Sequence, residues 1–238
     1  MKPWPLRGVI FDMDGVLVDS HAVHRTAWHQ FFQTLGQEVS EPELNFILDG
    51  RKRSDILRHF LGNCSDSELE ELGRQKDSIF REMRLEASPV PGVVPMVREL
   101  RRNGTALAVA TCASRKRAVA TLTELGLIDC FPVIVAGEDV VLGKPDAAIY
   151  RLACTRIAIE PASLLAVEDA ISGVRSAAGA GLRCIGVALH ETRESLFGAG
   201  AIHVVRDFQS ISAHHLECIF AGREPGKLGA AAAGAQNT

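Results

Sequence analysis

From Pro91 onward, short β-rich apolar runs alternate with stretches of helical character, and a chain that repeats strand and helix in this way folds as a parallel sheet covered by helices on both faces. The strands read from the sequence are 8–11, 105–111, 132–136, 164–167, 183–187 and 203–205. Between them lie helices over 93–103, 115–125, 147–157 and 172–180; Gly104, Gly126 and Gly181 fall where three of these need a C-terminal stop. In such sheets ligands gather beyond the carboxyl ends of the strands, so the residues that close each strand are where chemistry is expected.

Residues 17–88 break the alternation. Segments such as "SHAVHRTAWHQFFQTLG" and "SDSELEELGRQKDSIFREMRLE" are helical and contain few β-branched runs. They are expected to form a helical cap inserted between the first and second strands, with both ends of the insertion meeting the rim of the sheet. The α/β core then consists of 1–16 and 89–222. The Gly/Ala-rich residues 223–238 have little to bury and are expected to be a disordered tail.

Composition narrows the function. The chain has 238 residues, 47% hydrophobic and 23% charged, with net charge -3, which suits a soluble globular protein and gives no reason to bind nucleic acid. Its six cysteines show no Cys-x-x-Cys spacing and read as reduced thiols of a cytoplasmic protein. No segment resembles a signal peptide or reaches the length of a membrane span. A monomer is expected.

The stretch "GVIFDMDGVLVDS" runs a buried strand straight into Asp12 and Asp14. Two carboxylates about 4 Å apart repel by roughly 4 kcal/mol at an effective dielectric near 20, so a cation is required nearby. Other strand ends bring Thr111, and Glu168 and Asp169 of "EDAISG", to the same rim, where Lys144 of "GKP", before the fourth strand, joins them. Oxygen ligands grouped this way suit Mg²⁺, with Asp12, Asp14, Glu168 and Asp169 as its ligands. Asp12, on the rigid strand end, is placed to attack phosphorus and form an aspartyl phosphate, while Asp14 protonates the leaving oxygen and later activates water. Lys144 neutralises phosphate charge. Thr111 and the backbone N–H groups near Cys112 and Ala113 bind phosphate oxygens. The Cys112 thiol, beside Lys144 and a helix start, is expected to have a depressed pKa and to react with iodoacetamide.

"DMDGVLVDS", the Thr111 strand end, "GKP" and "EDAISG" resemble, in order and spacing, the four motifs of the haloacid dehalogenase superfamily over about residues 8–190. The resemblance implies a Rossmann-like core, Mg²⁺ dependence and a phosphoaspartyl intermediate. A helical insertion directly after the first motif is similar to the cap of the β-phosphoglucomutase-like branch. Asp14 argues against dehalogenation, because members with that activity lack the second aspartate. Within the cap, His24 of "HRTAW" resembles a histidine that couples closure to catalysis. Arg53 stands where the mutase grips a remote phosphate, and Lys76 matches a further cap lysine. Against a mutase, "CASRKR" lacks the serine, lysine and asparagine that help to bind the second phosphate, unless Arg115 or Lys116 substitutes.

The reading is a phosphatase of small phosphorylated metabolites such as sugar phosphates, with β-phosphoglucomutase as the close alternative. A phospho-receiver signalling module is the remote one. Such modules use a similar strand-end set, but this chain is about twice their usual length and has a second aspartate placed for acid/base work.

Overall fold

The structure is a computed structural model that describes residues 5–83 and 88–223. In chain order its strands are β1 (Gly8–Phe11), β2 (Val18–Asp19), β3 (Ser88–Pro89), β4 (Ala106–Ala110), β5 (Val133–Val135), β6 (Leu164–Glu168), β7 (Arg183–Val187) and β8 (His203–Val205). Six of them form one parallel sheet in the order β5-β4-β1-β6-β7-β8. The chain builds outward from β1 in both directions, so the crevice at the reversal opens at the carboxyl end of β1. All four residues of β1 are buried, as a strand covered on both faces must be. The pleat sends Val9 and Phe11 into the apolar layer that contains Val97, Leu122 and Leu216. It sends Ile10 into the opposite layer with Ile149, Tyr150 and Val174.

The helices are α1 (His21–Thr34), α2 (Glu41–Leu48), α3 (Arg53–Leu61), α4 (Asp66–Met83), α5 (Val93–Arg102), α6 (Arg115–Glu124), α7 (Ala148–Ile157), α8 (Ile171–Gly179), α9 (Arg193–Ala199) and α10 (Ala213–Phe220). The first four form the insertion, and they have a separate core in which Trp28, Phe31 and Phe32 pack with Leu44, Ile56, Leu57 and Leu69. The Trp28 and Phe32 rings stack at 5.6 Å, and Phe31 meets Phe32 edge-on at 5.3 Å. Two starts carry the Ser-x-x-Glu signature: the Ser40 N–H donates to the Glu43 carboxylate at 2.7 Å, and the Ser65 N–H to Glu68 at 2.8 Å.

Where the insertion leaves and rejoins the core, β2 and β3 pair antiparallel, Val18 opposite Pro89. This ribbon, like α9 and α10, goes beyond the sequence expectation because two-residue strands and short late helices carry no periodic signal. Strand β4 stops at Ala110, one residue before Thr111, although the Thr111 N–H still donates to the Val135 carbonyl at 3.0 Å. Strand β6 runs one residue further than expected and takes in Glu168. The expected disordered tail lies, beyond Arg223, outside the described residues. Among the described residues no helix is long and apolar enough to cross a membrane.

Candidate active site

Asp12 follows β1 and is buried with its backbone N–H bonded to the Val167 carbonyl at 2.9 Å, so the neighbouring strand holds it in place. Lys144, buried to 2% exposure, reaches it from the loop before α7: Nζ lies 2.6 Å from Asp12 Oδ1 and 2.6 Å from Glu168 Oε1. Glu168 Oε1 also accepts from the Tyr150 hydroxyl at 2.7 Å, whereas Glu168 Oε2 is buried without a partner. Ligand atoms of Asp12, Glu168 and Asp169 all lie within 4.8 Å of one another.

Close packing sets this group. A Cβ on Gly15, whose φ is +73°, would lie 1.8 Å from Asp169 Oδ2, and one on Gly173 would lie 2.1 Å from the Glu168 carboxyl. The glycines of "DGV" and "ISG" are therefore room for carboxylates. Burial, aided by the Glu168 and Asp14 charges and opposed by Lys144, pushes Asp12 up to about 7, and burial with the Asp12 and Glu168 charges raises Asp169 well above the usual carboxylate range. Burial works against the Lys144 ammonium, but Asp12 and Glu168 hold it charged. Three carboxylates face one lysine, and one buried oxygen has no donor. This donor set fits a hard divalent cation such as Mg²⁺.

Asp14 departs from its expected place. Its carboxylate is outside the trio and faces the helical insertion, where Oδ1 accepts from Ser20 Oγ at 2.6 Å and Arg117 Nη1 at 2.7 Å, and Oδ2 accepts from Arg117 Nη2 at 2.5 Å. His24 Nε2 stands 3.4 Å from Oδ1. Burial alone would raise the Asp14 carboxyl, yet Arg117 and His24 hold it well below the usual range. Asp14, expected among the ligands, thus keeps its carboxylate apart from the other three, with the Arg117 guanidinium as the cation beside it.

His24 stacks on Phe80 at 4.3 Å and presents Nδ1 to Lys76 Nζ at 3.0 Å. Burial, and then the Lys76 charge, lowers its pKa to about 3, so the ring is neutral, accepts from Lys76 at Nδ1 and turns an Nε2–H toward Asp14. Lys76 is itself buried over the Trp28 and Phe80 faces, and burial together with Arg117 brings it down to about 7. Arg53 donates to the Gly73 carbonyl at 3.1 Å and pairs with Asp77.

Thr111 Oγ1 accepts from the Ala113 N–H at 3.1 Å, so that N–H, expected to face phosphate, is already engaged. The Cys112 thiol is not activated: burial pushes it up to about 11 against the pull of Lys144. Arg115, considered as a stand-in for the mutase residues, turns away to Asp139 at 2.5 Å and the Ile134 carbonyl at 3.2 Å. Two residues later in the same helix turn, Arg117 enters the site. Its N–H donates to the Ser114 cap at 3.3 Å, which fixes the first turn of α6. Sequence reasoning missed Arg117 and Tyr150; the capping serine at "SRKR" was the available signal for the former.

The site opens into a cavity of about 640 Å³ between the strand ends and α1, α3 and α4, lined by Asp12, Asp14, His24, Arg53, Lys76 and Arg117 among others. The insertion is tied down over it: Lys52 Nζ donates to the Val140 carbonyl at 2.7 Å, the Ser172 N–H donates to Asp49 at 2.9 Å, and His190 Nε2 lies 2.8 Å from Asp19.

A family model described as haloacid dehalogenase-like hydrolase matches residues 6–181. CbbY of Cereibacter sphaeroides is 32% identical over 217 residues, 87% of this chain and 94% of that protein. The fructose-1-phosphate phosphatase YqaB of Escherichia coli is 30% identical over 184 residues, 76% of this chain and 96% of that one. A crystal structure of a CbbY variant from Rhodobacter sphaeroides in complex with xylulose-(1,5)bisphosphate matches with a TM-score of 0.76 and 30% identity, covering 86% of this chain and 96% of that one.

Proposed function

Given that the chain belongs to the haloacid dehalogenase-like hydrolases, we propose that it is a Mg²⁺-dependent phosphatase of small phosphorylated metabolites, sugar phosphates foremost, acting through an aspartyl phosphate. The observation that carries this reading is the buried group of Asp12, Glu168 and Asp169 around Lys144, with Glu168 Oε2 unpartnered. Names among the relatives support the substrate class, since YqaB is called a fructose-1-phosphate phosphatase.

Asp12, Glu168 and Asp169 would hold Mg²⁺, which when bound supplies positive charge against the phosphoryl oxygens. Lys144 holds the Asp12 carboxylate in place and adds positive charge beside it. An Asp12 oxygen attacks phosphorus while the bond to the leaving oxygen breaks, and Asp14, which must first leave Arg117 and take up a proton from water, delivers that proton to the leaving oxygen. Water then attacks the phosphoaspartate with Asp14 as base, releasing phosphate and restoring Asp12. Thr111 donates its hydroxyl to a phosphoryl oxygen. The helices of 17–88 act as a cap that excludes bulk water, with Arg53 and Lys76 facing the far end of the substrate.

The mutase reading is weakened by Arg115, whose guanidinium is taken up by Asp139. The test is phosphate release from a panel of sugar phosphates, with Mg²⁺ and with EDTA. Many turnovers with Mg²⁺ and none in EDTA are expected, and full activity in EDTA overturns the ligand set. Conversion of β-glucose 1-phosphate to glucose 6-phosphate, primed by glucose 1,6-bisphosphate and without net phosphate release, overturns the phosphatase in favour of the mutase.

A further inference from the structure

We propose that Tyr150 is a positioning residue that sets which divalent cation the site accepts: its hydroxyl, together with Lys144, occupies one oxygen of Glu168, so that the carboxylate offers the ion a single oxygen and the site favours Mg²⁺ over Ca²⁺. The inference rests on the metal-dependent phosphatase reading and adds to it the residue that discriminates between ions.

The two oxygens of Glu168 are unequal. Oε1 accepts from the Tyr150 hydroxyl at 2.7 Å and lies 2.6 Å from Lys144 Nζ, whereas Oε2 is buried without a partner. A buried carboxylate oxygen without a donor is unfavourable, and beside Asp12 and Asp169 a cation is the partner that relieves it. Packing keeps the carboxyl from exchanging its oxygens. A Cβ on Gly173 would lie 2.1 Å from Oε2 and 2.3 Å from Oε1, so the backbone of α8 closes that side.

Lys144 alone does not hold this arrangement. It divides its ammonium between Glu168 and Asp12, 2.6 Å from each, and in the proposed reaction it also meets the charge of the phosphoryl group. The tyrosine hydroxyl has one proton and gives it to Glu168. Its ring is fully buried on α7 in the layer with Ile149, Ala153 and Val174, and Lys144 Nζ lies 5.5 Å from the ring centroid. Tyr150 is therefore the donor that stays on Oε1 throughout the reaction. The number of oxygens a carboxylate offers separates the two ions. Mg²⁺ demands near-ideal octahedral geometry and suits a carboxylate that gives one oxygen, whereas Ca²⁺ takes about six to eight oxygens and accepts both from one carboxylate. With Oε1 engaged, Glu168 cannot serve Ca²⁺ in the second way. Phenylalanine at this position keeps the ring but removes the donor, which frees Oε1 for the ion.

The experiment strips the full-length protein of metal with EDTA, removes the chelator, and titrates wild type and Tyr150→Phe with MgCl₂ and with CaCl₂ by calorimetry. Wild type should bind Mg²⁺ more tightly than Ca²⁺, and Tyr150→Phe should lower that ratio of affinities at least about tenfold, as expected of a residue that orients a metal ligand. A wild type that prefers Ca²⁺, equal weakening of both ions in Tyr150→Phe, or no change in either overturns the inference. A second measurement needs no variant. Tyr150 is the single tyrosine of the chain, so wild type made with tyrosine carrying ¹³C at Cζ gives one tyrosine ring resonance. That resonance should shift as Mg²⁺ is added, in step with the calorimetric isotherm. A resonance that saturating Mg²⁺ leaves unmoved overturns the inference even if Tyr150→Phe does not fold. Failure of the wild type to bind either ion overturns the metal-dependent reading itself, whereas Mg²⁺ binding with unchanged selectivity in Tyr150→Phe overturns this inference alone.

Discussion

The two aspartates that open the site live in opposite surroundings. Asp12 is packed on the strand-end side, where Lys144 from the loop before α7, Glu168 of β6 and Tyr150 of α7 are all buried. Asp14, two residues on, faces the insertion across the cavity, and its partners Arg117, His24 and Ser20 are part-exposed or sit at element ends. On the first side charges are fixed by packing and short of positive charge. On the second they are arranged in pairs that line the cavity. The contrast sets a carboxylate fixed by buried partners against one held by part-exposed partners at the cavity, and under the proposed mechanism substitutions should behave differently on the two sides.

The strongest way to break that contrast is Asp12→Asn. An amide does not attack phosphorus, so kcat should fall by about 10⁴-fold or more, equivalent to about 5.5 kcal/mol, with the circular dichroism spectrum unchanged. Activity within tenfold of wild type would remove Asp12 from the chemistry. Next comes Gly15→Ala, which drives a methyl into Asp169 at a positive φ. A loss of about a hundredfold and a lower Tm are expected, and an unaffected enzyme would show that the strand-end side is not tightly packed.

On the cavity side, Arg53→Ala should lower kcat/KM for a sugar phosphate about tenfold while leaving p-nitrophenyl phosphate nearly unchanged. Equal losses would make Arg53 a support for Asp77 and Gly73 only. Lys76→Met sharpens the comparison through stability. The lysine titrates near 7 in the folded protein, below its ordinary value of 10.5, so the unfolded chain binds more protons between those values and wild-type stability gains from this group as pH rises through that window. At about pH 6 the cost of burying the ammonium is fully present. Lys76→Met should therefore be more stable than wild type there, with the difference in denaturant midpoint shrinking toward about pH 10. A difference that does not vary with pH would contradict the buried charge. The smallest effect belongs to Cys112→Ser, expected to stay within about twofold of wild type, with the native thiol resisting iodoacetamide at neutral pH because burial pushes it up to about 11. Rapid alkylation protected by phosphate would restore the reactive thiol expected from the sequence.

The sequence by itself determined the sheet and the rigid half of the site. Apolar runs that end in Asp12, Glu168 and Asp169 read as buried strands delivering carboxylates to one rim, whereas the strand order β5-β4-β1-β6-β7-β8 came from the structure. Lys144 was legible from the "GKP" motif before the fourth strand. What the tertiary structure decided is which cation meets Asp14. Arg115, Lys116 and Arg117 are alike in the sequence, and helical periodicity alone does not tell which of them faces partners distant in the chain; Asp14 and the Phe80 ring of α4 meet Arg117, and Asp139 takes Arg115. Tyr150 is the same case, an aromatic that reads as core until Glu168 is found at 2.7 Å from its hydroxyl. Local patterning encodes where a backbone goes. Charges that meet across the cavity depend on the relative placement of elements distant in the chain, and no short stretch of sequence contains that information.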